Sequence, residues 1–164
     1  TFGDFELIAD WRWTREPVKV KRPVILPSGD YAVDESGAQR EEEVLDAGDS
    51  GIYLRGTDRG QVNIWCWPAG SGELWAVRDD RGLAPEFRAA AVPMVRADGR
   101  IGTWNRFHIT VKGDRVTVIL NGAVVIADAR IPGLPARGPI ALQHHGDPIQ
   151  FANIFVRDLE AHGG

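Results

Sequence analysis

Three short segments carry side chains suited to recognising or transforming a polar organic ligand. Tyr53 and Arg55, then Gln61, Asn63, Trp65 and Trp67, then Glu73 and Trp75 recur at a spacing of two, which in extended chain puts each set on one face. If the three segments are neighbouring strands, they present amides, a guanidinium, a carboxylate and indoles on one surface. That mixture suits carbohydrate: indoles cover the apolar C–H faces of a pyranose, while Arg, Gln, Asn and Glu hydrogen-bond its hydroxyls. The competing expectation is that Trp65 or Trp67 turns into the core and that the amides are ordinary surface residues.

A fourth segment, His144-His145-Gly146-Asp147, supplies titratable groups. Adjacent strand residues point to opposite faces, so the two histidines serve one metal only if the chain turns, as Gly146 permits. His145 and Asp147 can instead share a side, the carboxylate orienting the imidazole for proton transfer. The alternative is a structural histidine at a strand end. His108 lies on the polar face of another strand and is a further candidate contact. The single cysteine, Cys66, excludes an intrachain disulfide and a Cys-based zinc site and reads as a small buried apolar residue. No nucleophile elbow, phosphate loop or spaced metal motif is present.

The elements that must position these groups are strands. Phe5, Leu7, Ala9, Trp11 and Trp13 alternate with mostly polar residues, predicting one long half-buried strand. From Thr103 to Ile126 the alternation of Phe107, Ile109 and Val111, then Val116, Val118 and Leu120, then Val124 and Ile126 predicts a three-strand meander. Its turns fall at Lys112-Gly113-Asp114 and at Asn121-Gly122, a pair suited to the positive φ of a type I′ turn. Ser50–Arg55, Gln61–Trp67, Glu73–Arg78 and Ile140–Gln143 read as further strands, and a last strand runs from Ile149 toward Leu159. Residues 86–91 suggest one helical turn. Between Arg15 and Gly48 the prolines and a charged run break the pattern, predicting an exposed excursion that is either a lid or a surface insertion. Ten to twelve short strands with almost no helix predict an all-β fold, a two-sheet antiparallel jelly roll or concanavalin A-like sandwich, as a single domain over residues 1–164.

Composition bounds the partners. The net charge is −4, with 19 basic and 23 acidic residues and no basic run, so nucleic acid is not an expected partner. No segment approaches the roughly 18 apolar residues of a membrane span, no signal peptide is visible, and the chain opens inside a strand pattern, as if an earlier segment had been removed.

Five segments in order, FGDFELIADWRW, DSGIYLRG, QVNIWCWPAGSGE, GTWNRFHITVKGDRVTVILNG and ARGPIALQHHGDPIQFANIFVRDL, resemble the 3-keto-disaccharide hydrolase domain family of bacterial genomes, a concanavalin A-like jelly roll. The resemblance spans nearly the whole chain. The family's domain begins with a further N-terminal segment, and many members carry a glutamate in the strand where this chain has Gln61. What the resemblance implies is cleavage of glycosides oxidised at C3. The keto group acidifies the C2 hydrogen, and a base removes it to give an enolate that expels the C1 substituent. On that reading His145 or Glu73 is the base, Arg55 stabilises the enolate oxygen, and Gln61, Asn63, Trp65 and Gln143 hold the sugar, with Tyr53, Trp67 and His108 as further contacts. The resemblance also allows a divalent metal polarising the keto oxygen, and by family habit a periplasmic or extracellular location. The rival expectation is a non-catalytic, lectin-like sugar-binding module. A conventional glycosidase needs two carboxylates flanking the bond, and Glu73 has no evident partner.

Overall fold

Strict alternation builds the first strand: β1 (Phe5–Trp13) turns Phe5, Leu7, Ala9, Trp11 and Trp13 inward, each at most 3% exposed. In the computed structural model, which describes residues 1–160, β1 lies between β6 (Asn105–Lys112) and β10 (Ile149–Asp158). With β7 (Arg115–Leu120) and β8 (Ala123–Arg130) they form an antiparallel sheet in the order β10-β1-β6-β7-β8. The meander is thus as expected, and Asn121 and Gly122 both take positive φ, 51° and 85°. One inward residue differs from expectation. Val124 is 42% exposed and Val125 is fully buried, because Ile119 pairs with Val124 while Val118 pairs with Ile126. The extra residue forms a bulge that turns Val125 into the core.

The second sheet is smaller: β5 (Gln61–Trp65), β4 (Asp49–Tyr53) and β9 (Ala141–Leu142), in the order β5-β4-β9. Ile52, Leu54, Val62 and Ile64 pack in one core with the inward side chains of β1, β6, β7 and β8. The result is a two-sheet antiparallel sandwich. Among the described residues no helix is long and apolar enough to cross a membrane.

Three expected elements change. The Ser50–Arg55 strand stops at Tyr53 and passes into a 3-10 turn over Leu54–Gly56, with Arg55 in the left-handed region at φ 54°. The Glu73–Arg78 segment is a strand only as far as the bridge from Leu74 to Val62; Trp75–Arg78 is a short helix, α1. The 15–48 excursion contains a regular hairpin, β2 (Val18–Pro23) with β3 (Glu41–Asp46). The helical turn expected at residues 86–91 is α2 (Pro85–Ala90), with proline in its first turn, where a missing N–H is harmless.

Candidate active site

Because Val62 and Ile64 face the core, period two turns Gln61, Asn63 and Trp65 of β5 to the outer side of the small sheet. They are nonetheless only 3–7% exposed, since Tyr31 from the excursion, Trp67, α1 and the segment after β9 rise around them. The enclosure is a cleft of about 370 Å³.

Its floor is a row of amides. Gln61 Nε2 donates to Gln143 Oε1 at 3.0 Å and lies 3.4 Å from Asn63 Oδ1. Gln143 is fixed through its backbone: its N–H donates to Gly51 O at 2.9 Å, and its carbonyl accepts from Ser50 Oγ at 2.9 Å. Gly51 makes room for this pair, as a Cβ there would stand 3.0 Å from Gln61 Nε2 and 3.1 Å from Gln143 Oε1. Beside the amides, Trp65 Nε1 donates to Gly70 O at 2.7 Å, and its ring stacks on Trp67 with centroids 4.2 Å apart and planes 10° apart. Tyr53 and the 40%-exposed Trp75 complete the rim.

His145 and Asp49 stand together at one end. Burial pushes the Asp49 carboxyl above its ordinary range, against the pull of His145. Asp147, the expected partner of His145, is engaged elsewhere. Asp147 Oδ1 accepts from Arg15 Nη1 at 2.8 Å and Oδ2 from the Asp49 N–H at 3.0 Å. That packing needs Gly48, at φ 143°, since a Cβ there would lie 2.3 Å from Asp147 Cβ.

Three expected roles are corrected by placement. Arg55 does not reach the cleft: its left-handed backbone turns the side chain away, and the guanidinium donates to the carbonyls of Gly3, Gly113 and Pro135 at 2.7–3.0 Å and to Asp4 Oδ1 at 3.2 Å. It ties the start of β1, the β6–β7 turn and the loop at Pro135 together, with 1% of its side chain exposed. His108 sits on the outer face of the other sheet, 4.0 Å from Glu6 and beside Phe155, on the far side of the sandwich. Glu73 is fully buried behind the cleft, paired with Arg78 Nε, with Asn63 Nδ2 3.4 Å from its other oxygen. Burial pushes its carboxyl up to about 7 against the pull of Arg78, but Glu73 is not among the residues that line the cleft.

Arg78 is the cation that does line the cleft, 5.2 Å from the ring of Tyr31. Its Nη2 has no partner among the described residues, leaving two N–H donors for a ligand or water. Sequence reasoning missed Asp49, Tyr31, Asp58 and Arg78, all in the wall. Of these only Asp49 carried a signal, as the alternation of Tyr53 and Gly51 continues to it. Among the described residues no three His, Cys, Asp or Glu side chains converge. Asp49 and His145 alone fall short of the three protein ligands of a catalytic zinc site, so the donor set does not fit a catalytic zinc ion.

No curated protein matches the chain. Two candidate glycosyl hydrolases of known structure from Parabacteroides distasonis share the fold. One has 24% identity and a TM-score of 0.52, the match covering 96% of this chain and 65% of that one. The other has 14% identity and a TM-score of 0.50, covering 96% and 71%. The chain thus spans slightly less than two thirds of the first relative. A family model for the 3-keto-alpha-glucoside-1,2-lyase-like domain matches residues 1–157, and the chain belongs to that family.

Proposed function

We propose that the cleft cleaves glycosides carrying a keto group at C3 by removing the C2 proton. Membership of the family links the chain to glycoside chemistry. The observation that carries the finer reading is that one cleft unites stacked indoles and a row of amides with a histidine and a carboxylate.

The sugar ring lies against the indoles, and Gln61, Asn63 and Gln143 bond its hydroxyls. His145 takes the C2 proton, and Asp49 steadies the imidazolium that results. The C2–H electron pair becomes the C1=C2 double bond as the C1–O bond breaks. The departing oxygen keeps that bond's electrons and takes a proton, and the His145 imidazolium gives its own back, directly or through water. Arg78 supplies positive charge at the wall where negative charge builds on the C3 oxygen, the role Arg55 cannot fill. The unsaturated keto sugar then leaves, or water adds across the double bond to give the free 3-keto sugar.

The test is aglycone release from a 3-keto glucoside and from its unoxidised counterpart, each with and without a chelator. Release is expected from the keto substrate only and is lost in His145→Ala. No release from either, with saccharide still bound, would overturn the reading in favour of a sugar-binding module. Chelator-sensitive release would overturn the account of the donor set.

A further inference from the structure

Glu73 takes no part in the steps above, yet two groups of the cleft depend on it. Its Oε1 accepts from Arg78 Nε, and its Oε2 lies 3.4 Å from Asn63 Nδ2. The backbone prepares the second contact: the Asn63 N–H donates to Glu73 O at 2.8 Å, which brings the two side chains abreast. The Glu73 side chain has no surface open to solvent, so it serves the cleft only through these neighbours.

A carboxylate accepts at both oxygens and donates at neither, whereas a primary amide has one end of each kind. Glu73 therefore fixes the direction of every amide that follows it. Asn63 must turn Nδ2 toward Glu73, which leaves its Oδ1 facing Gln61. Gln61 answers with Nε2, 3.4 Å from that oxygen, and the same nitrogen donates to Gln143 Oε1 at 3.0 Å. The row ends with Gln143 Nε2 turned away from Gln61, left to meet whatever enters the cleft that Gln143 lines.

We propose that Glu73 is a positioning residue that sets the hydrogen-bond polarity of the cleft floor, so that Gln143 offers a donor to a ligand oxygen that can only accept, a carbonyl or an ether. The inference rests on the reading of the cleft as a sugar site and deepens it. A hydroxyl rotates to suit either polarity, whereas a carbonyl or ether oxygen does not. Glu73→Gln should reverse the row. The new amide accepts from Arg78 with its oxygen, so its nitrogen faces Asn63 Nδ2, donor against donor. Asn63 turns over, then Gln61, then Gln143, and the floor presents an oxygen where it presented N–H groups.

The experiment follows exchange of the side-chain amide protons with water by NMR at pH 8, where Glu73, titrating at about 7, is ionised. One hydrogen bond of ordinary strength slows exchange roughly tenfold. In the wild type the Gln61 amide protons are therefore expected to exchange about tenfold more slowly than those of Gln143; the opposite order overturns the proposal, and this comparison stands even where a variant fails to fold. In Glu73→Gln the protection is expected to pass from Gln61 to Gln143. In Asn63→Asp/Glu73→Gln the carboxylate moves one place along the row, accepts from the new amide and from Gln61, and returns the protection to Gln61. Faster exchange at both glutamines, not reversed by the second substitution, marks a merely structural residue and overturns the proposal. With a 3-keto glucoside, Glu73→Gln is expected to raise KM about tenfold with kcat little changed; an unchanged KM overturns the claim on the ligand. The exchange pattern needs no substrate, so a reversal without keto turnover upholds the proposal and overturns only the elimination reading. Turnover in a protein whose protection does not move overturns only the proposal.

Discussion

Replacing Arg55 with methionine separates a structural from a catalytic guanidinium. The change keeps most of the side-chain bulk but removes every donor. The carbonyls of Gly3, Gly113 and Pro135 then lose partners at 2.7–3.0 Å in a place where only 1% of the arginine side chain meets solvent. Asp4, partly exposed, still accepts the Gly113 N–H at 2.8 Å, so its carboxylate is not stranded. An unsatisfied buried acceptor costs about 1–3 kcal/mol, and some relaxation and water entry are inevitable, so the whole change is expected to cost about 3–5 kcal/mol. For a chain of this size that lowers Tm by about 6–20 °C, at roughly 2–4 °C per kcal/mol. Urea and thermal unfolding measure the loss, and aglycone release well below the new Tm measures the cleft. Activity per folded molecule is expected to survive. A variant of normal stability that has lost turnover would refute the placement and return Arg55 to the enolate.

Trp67→Ala removes the half-buried partner of the indole stack and is expected to weaken saccharide binding about 2–10-fold by calorimetry; unchanged affinity would mean that the sugar does not use the stack. Glu73 makes a pH prediction. Its folded pKa, about 7, lies above the ordinary 4.5, so across that window the folded chain holds a proton that the unfolded chain has released. Stability therefore falls as pH rises from 4.5 to 7, by about 3 kcal/mol from this group, and levels off above. Urea midpoints at pH 5 and pH 8 should show the decline in the wild type and less of it in Glu73→Gln; an equal decline in the variant would assign it elsewhere.

Strand alternation made most of this fold readable. Gln61, Asn63 and Trp65 came from the same rule, because once Val62 and Ile64 are inward the residues between them must face out. The rule failed where one residue left the β region. Arg55 continues the Tyr53 face on paper, but a φ of 54° ends the strand and swings the guanidinium away. The bulge that exchanges Val124 for Val125 is the same failure in the core. His108 was misplaced for another reason: a sandwich has two outer faces, and alternation within one strand does not say which of them holds the cleft. Tyr31 and Arg78 come from a hairpin excursion and a four-residue helix, where position depends on packing across long stretches of chain rather than on local period.

The place of β1 between β6 and the last strand has a kinetic meaning. Phe5 pairs with Val111 and with Asp158, 106 and 153 residues further along the chain. The large sheet therefore cannot close until its last strand is present, and His145 belongs to the segment that leads into that strand. Such distant pairing places folding in the millisecond-to-second range, about the slow end for small domains. The proposed sugar binding should accordingly return with the slowest refolding phase and not with the early meander, whose strands are neighbours in the chain.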